Sequence, residues 1–69
     1  MNIRINGKRE SLEAESLTVT ELLGVRQVPD PDMVSVQLNG DILERNDFQS
    51  VSVNSGDELE FLYFMGGGA

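Results

Sequence analysis

The sequence predicts an α+β domain, a mixed sheet of four or five strands with one short helix packed on one face. Three observations predict it. Apolar and polar residues alternate near both ends and in the middle of the chain, over residues 2–6, 34–38 and 58–61, which is the period of a strand with one buried face. The dipeptide Asn-Gly occurs twice, at Asn6-Gly7 and Asn39-Gly40. It is the strongest short-range signal for a two-residue hairpin turn. Between the two hairpins the apolar period becomes helical, and that stretch opens with capping-box spacing, Thr18-Val19-Thr20-Glu21.

Taken in order, Asn2-Ile3-Arg4-Ile5-Asn6 reads as the first strand, with Ile3 and Ile5 inward. Residues 9–14 return as the second, with Leu12 and Ala14 on the same core and Glu10 and Glu13 in solvent. Val19, Leu22 and Leu23 then form the apolar stripe of a helix of about two turns. Leu17 and Leu22 can make a hydrophobic staple across its start, and Arg26 near its end suits the helix dipole. Pro29 and Pro31 cannot continue a helix, so residues 28–32 become a stiff surface loop. Val34, Val36 and Leu38 point inward from the clearest strand in the chain. Asp41-Ile42-Leu43 begins a short return strand at a sheet edge.

Residues 45–48 read as a turn or a single helical turn that drops Phe48 onto the core, and Val51 and Val53 follow with spacing two. The cluster Asn54-Ser55-Gly56-Asp57 is a turn, and Glu58 opens the last strand. In that strand Leu59, Phe61 and Tyr63 share one face and Glu60, Leu62 and Phe64 the other. Its apolar and aromatic content predicts a central place in the sheet, parallel to the first strand. The expected organisation is one body, residues 1–65, and a flexible glycine tail, residues 66–69.

Composition narrows the chemistry. A chain of 69 residues is one domain and buries only roughly 60% of the surface its unfolded form exposes, which argues against a deep catalytic cleft. It contains neither cysteine nor histidine. That removes a disulfide framework, a thiolate ligand or nucleophile, and the commonest general base and metal ligand. Twelve acidic residues against five basic ones give a formal charge of −7, which argues against nucleic acid and for a basic protein partner. The carboxylates follow no metal-ligand spacing, so no metal site is expected. No stretch has the pattern of a signal sequence or the length of a membrane span. The lack of cysteine is compatible with the cytoplasm, the expected location.

The informative stretch is the run Glu60-Phe61-Leu62-Tyr63-Phe64-Met65-Gly66-Gly67-Gly68, a strand that feeds three glycines. Glycine lacks a Cβ, so such a tail can thread a channel too narrow for side chains and carry a carboxylate into it. The chemistry is therefore expected at the chain terminus, although terminal glycines are also the ordinary frayed end of a domain. Leu62 and Phe64, lying outside the core directly before Met65 and Gly66, are the expected docking patch for a partner. The other possibility is that they pack beneath a loop.

Several segments together resemble the ThiS-type ubiquitin-like sulfur carriers of thiamine biosynthesis. They are residues 18–23, the Val36-Gln37-Leu38-Asn39-Gly40 turn, the Ile42-x-x-Arg45 spacing, Gly56-Asp57-Glu58-Leu59-Glu60-Phe61 and the terminal glycines. The resemblance covers essentially the whole chain and implies a β-grasp fold. It further implies that a ubiquitin-activating-type enzyme adenylates the carboxylate of Gly68, next to Gly67, with ATP. Persulfide sulfur then displaces AMP, and the resulting thiocarboxylate is delivered to thiazole synthase. The carrier itself is then not an enzyme, holds no cofactor and is monomeric. Members of this family end in diglycine, so Ala69 is one surplus residue that must be removed before Gly68 can react. Arg45 matches a position that is usually arginine in the family, and a surface ion pair is its expected structural role. Rival functions are sulfur transfer toward molybdopterin or another metabolite, protein modification through Gly68, and a β-grasp interaction module with an incidental tail.

Overall fold

The computed structural model describes residues 1–63. The expectations placed on Phe64, Met65, Gly66, Gly67, Gly68 and Ala69 lie outside the described residues. Among the described residues seven strands and one α-helix follow in order as β1 (Asn2–Ile5), β2 (Lys8–Ser11), β3 (Ser16–Thr18), α1 (Val19–Val25), β4 (Val34–Leu38), β5 (Asp41–Ile42), β6 (Ser52–Asn54) and β7 (Glu58–Tyr63). Five of these form one mixed sheet in the order β2-β1-β7-β4-β5, and β3 pairs with β6 in a second, two-stranded sheet. β7 is central, parallel to β1 and antiparallel to β4.

Local chemistry explains these elements. Both Asn-Gly pairs adopt positive φ, 52° and 82° at Asn6 and Gly7 and 51° and 90° at Asn39 and Gly40. That conformation matches a two-residue turn to the twist of its flanking strands. Thr18 caps α1 reciprocally. Its hydroxyl accepts from the Glu21 amide at 3.1 Å while the Glu21 carboxylate accepts from the Thr18 amide at 2.9 Å, satisfying two otherwise orphaned donors. Val19, Leu22 and Leu23 are the buried residues of α1, and they meet Ile3, Ile5, Val34, Val36, Phe48, Val53, Leu59 and Phe61 in one core. Leu17 packs against the same cluster from just before the cap.

Four expectations need correction. The second strand runs over Lys8–Ser11, not residues 9–14, because the β1 ladder ends at the Asn2–Ser11 pair. Glu13 and Ala14 therefore have no strand opposite them, and Leu12 only flanks the core. Tyr63 lies on the core side of β7, opposite buried Val34, yet is 46% exposed. Among the described residues Tyr63 has a strand beside it on one side only, because β1 ends at Ile5, opposite Leu59.

Among the described residues Arg45 makes no ion pair. It donates to the carbonyls of Pro31 and Val34 at 2.8 and 2.9 Å and lies 5.4 Å from the centre of the Phe48 ring. Arg45 opens a short 3-10 turn and reaches the 3-10 turn at Pro31–Met33, so its guanidinium fastens two irregular segments that lack a ladder of their own. Glu10, expected in solvent, accepts from Arg26 at 2.7 Å. Arg26 is the C-cap of α1, so this pair ties the end of the helix to β2.

Thr18→Ala removes one partner of the capping box and is expected to cost about 1 kcal/mol. Thermal unfolding should then show a midpoint roughly 4–8 °C lower.

Candidate functional site

Everything expected of the tail begins at β7, so the site is built from what holds that strand. On one side β4 pairs with it along its length, from Leu38–Leu59 to Val34–Tyr63. On the other side β1 pairs with it only at Arg4–Glu58 and Ile5–Leu59. Main-chain donors bridge the start of this parallel pairing, Arg4 to the Asp57 carbonyl at 3.0 Å and Asn6 to the Leu59 carbonyl at 2.9 Å.

The two turn asparagines then close on β7 from opposite sides. Asn6 Oδ1 accepts from the Phe61 amide at 2.9 Å. Asn39 Oδ1 accepts from the Glu58 amide at 2.9 Å, and its Nδ2 donates to Asp57 Oδ1 at 3.1 Å. The second oxygen of Asp57 accepts from the Asn54 amide at 2.8 Å, which fixes the turn that launches the strand. Each asparagine therefore does two things: it supplies the positive-φ turn, and it supplies a side-chain acceptor where the neighbouring main chain has turned away.

The outer face of the sheet carries the partner-facing expectation. Leu62 shares this face with Glu58 and Glu60 and is 43% exposed, as its alternation predicts. Ile42, expected only as part of a short edge strand, is a second exposed apolar residue on this face. It lies opposite Gln37, which in turn lies opposite Glu60, and it is 71% exposed. The signal available for it was the edge position of β5, where an isoleucine has no second neighbour. Phe64, Met65, Gly66, Gly67 and Gly68 lie outside the described residues, so Leu62 alone of the expected site residues is located on the body.

A five-stranded mixed sheet with a single helix, the last strand central and parallel to the first, defines a β-grasp domain. Comparison with known proteins agrees. The model of the ThiS family matches residues 2–68, and the chain belongs to the ThiS family. The crystal structure of thiamine biosynthesis protein ThiS from Geobacter metallireducens superposes with a TM-score of 0.90 at 52% identity, covering 99% of this chain and all of the other. A solution structure of a thiamine biosynthesis protein from the same organism gives a TM-score of 0.83 at 51% identity, over all of this chain and 90% of the other. A thiazole synthase from Paramagnetospirillum magneticum is 41% identical over the full 69 residues. The chain spans only 21% of that relative's length.

Replacing Asn6 with glycine keeps the positive-φ turn and removes the acceptor for Phe61. Loss of that one bond is expected to cost about 1 kcal/mol, measured as a fall in the denaturant midpoint with an unchanged slope.

Proposed function

We infer that this chain is a sulfur carrier of thiamine biosynthesis whose reactive group is the carboxylate of Gly68. The observation that carries this reading is the match of the ThiS family over residues 2–68. It extends through Gly67 and Gly68 and leaves Ala69 outside. A carboxylate is a poor acyl electrophile. Transfer of AMP from ATP converts it to a mixed anhydride, and persulfide sulfur can then displace AMP at the carbonyl carbon. The product is an acyl disulfide; a thiol outside this chain attacks its outer sulfur, the two form a new disulfide, and the thiocarboxylate, an anionic sulfur nucleophile, leaves. The chain, lacking histidine and cysteine, supplies neither acid nor base to these steps. Its contribution is positioning: the body docks and the glycines carry the reacting carbon into the partner's site.

Two enzymes are the proposed partners, a ubiquitin-activating-type adenylating enzyme that uses ATP and a thiazole synthase that receives the sulfur. The thiazole synthase that contains a stretch similar to this whole chain supports the second. A persulfide is the proposed sulfur donor, and the cytoplasm is the proposed compartment. Leu62 and Ile42, together with Phe64, Met65 and Gly66, are the proposed contacts with the adenylating enzyme. Leu62→Glu places a charge on an exposed position. It is expected to weaken binding to the adenylating enzyme at least tenfold, the factor set by roughly 1.4 kcal/mol, while the thermal midpoint stays unchanged; wild-type affinity would remove Leu62 from the interface.

The test of the function itself is the intact mass of the chain from cells that are making thiamine. Loss of Ala69 together with exchange of one oxygen for sulfur is the expected result. A chain that never gains sulfur, including when supplied ending at Gly68 with the adenylating enzyme, ATP and a persulfide donor, sinks the carrier reading.

A further inference from the structure

β7 outlasts β1. Asn39 donates to the Glu58 carbonyl at 2.7 Å, so the alternation of an antiparallel ladder gives Glu58, Glu60 and Leu62 to β4 and turns the polar groups of Leu59, Phe61 and Tyr63 the other way. β1 answers Leu59, and Asn6 Oδ1 answers the Phe61 amide. Beyond that point β1 has ended at Ile5 and its turn leads off to β2. The carbonyl of Phe61 and the amide of Tyr63 therefore face a side on which the described residues offer no strand. An open sheet edge is a template for an added strand, and here only the final residues of the central strand are left open.

A cavity of about 240 Å³ lies at this edge, lined by Phe61, Tyr63, Val28, Asn6 and Lys8 together with the Arg26–Glu10 pair. Its wall combines apolar surface with one ammonium, that of Lys8, which makes no ion pair among the described residues. We propose that a strand of thiazole synthase adds to β7 here, beside Phe61 and Tyr63, extending the sheet past the end of β1. The added strand donates to the Phe61 carbonyl and accepts from the Tyr63 amide. It turns an apolar side chain toward Val28 and Tyr63 and an acidic one toward Lys8.

The choice of occupant rests on the carrier reading and on the thiazole synthase that contains a stretch similar to this chain. Domains that share one polypeptide meet at high effective concentration and need few contacts to engage. A strand addition of two or three main-chain bonds suits such a pair, and it suits a separate carrier that must leave one enzyme for another. The position matters as well, because the bond at Tyr63 fixes the chain six residues before Ala69.

Tyr63→Pro and Tyr63→Ala, titrated calorimetrically into purified thiazole synthase, separate the main-chain bond from the side chain. Both lack the phenol ring, and only proline lacks the N–H. That N–H faces away from β4, so proline leaves the β4 ladder intact. The proline variant is expected to bind about tenfold more weakly than the alanine variant, as loss of one main-chain hydrogen bond implies. Equal affinities overturn the proposal. If the proline variant unfolds, a synthetic chain with an ester in place of the amide between Leu62 and Tyr63 removes the same N–H and keeps the ring. Its affinity should fall by a similar factor relative to wild type, and an unchanged affinity overturns the proposal. Wild-type chain that binds no thiazole synthase, either full length or ending at Gly68, overturns the carrier reading. Wild-type binding with indifferent variants overturns the strand addition alone.

Discussion

The grip of two asparagine side chains on the final strand is the interaction on which the rest of this structure depends. A central strand must have partners on both sides, yet β1 and β4 reach β7 from hairpins whose turns bend away just where pairing is needed. Asn6 and Asn39 resolve that conflict by offering a side-chain oxygen to the Phe61 and Glu58 amides. With β7 seated, Leu59 and Phe61 are placed against Val19, Leu22 and Leu23 of α1, and the core closes. The partners of β7 lie about twenty to more than fifty residues earlier in sequence. The fold is thus completed by its most distant contacts.

The same seating bears on the proposed function. The strand that closes the core is the strand that leads in sequence to the glycines, held by β4 along its length and by β1 at its start. The irregular half of the molecule needs a different fastening. Arg45 supplies it by donating to two carbonyls of the segment around Pro31 and Val34 while its guanidinium lies near the Phe48 ring. A planar donor fork suits this role better than an ammonium would.

Much of the fold was legible because the chain states it locally. Asn6-Gly7 and Asn39-Gly40 specify turns, Thr18 and Glu21 specify a helix start, and the alternation at residues 34–38 and 58–61 specifies buried faces. What escaped was set by partners far away in sequence. Three residues, Ser16–Thr18, are too few to show a period, and they are a strand only because β6 lies alongside. Tyr63 has the parity of a core residue, but nothing local reports that β1 ends before reaching it. Glu10 and Arg26 are sixteen positions apart, and their pairing follows from how the helix crosses the sheet. Of the exposed apolar residues proposed as the candidate site, Leu62 was legible through parity, and Ile42 was not, because its exposure comes from β5 being an edge.

The parallel alignment of β1 and β7 also has a mechanical meaning. A pull along the axis of β7 meets bonds to β1 and β4 that lie across that axis. They are loaded together in shear instead of parting one at a time. Traction on the chain beyond Tyr63 would therefore be borne by the middle of the sheet and not by its rim.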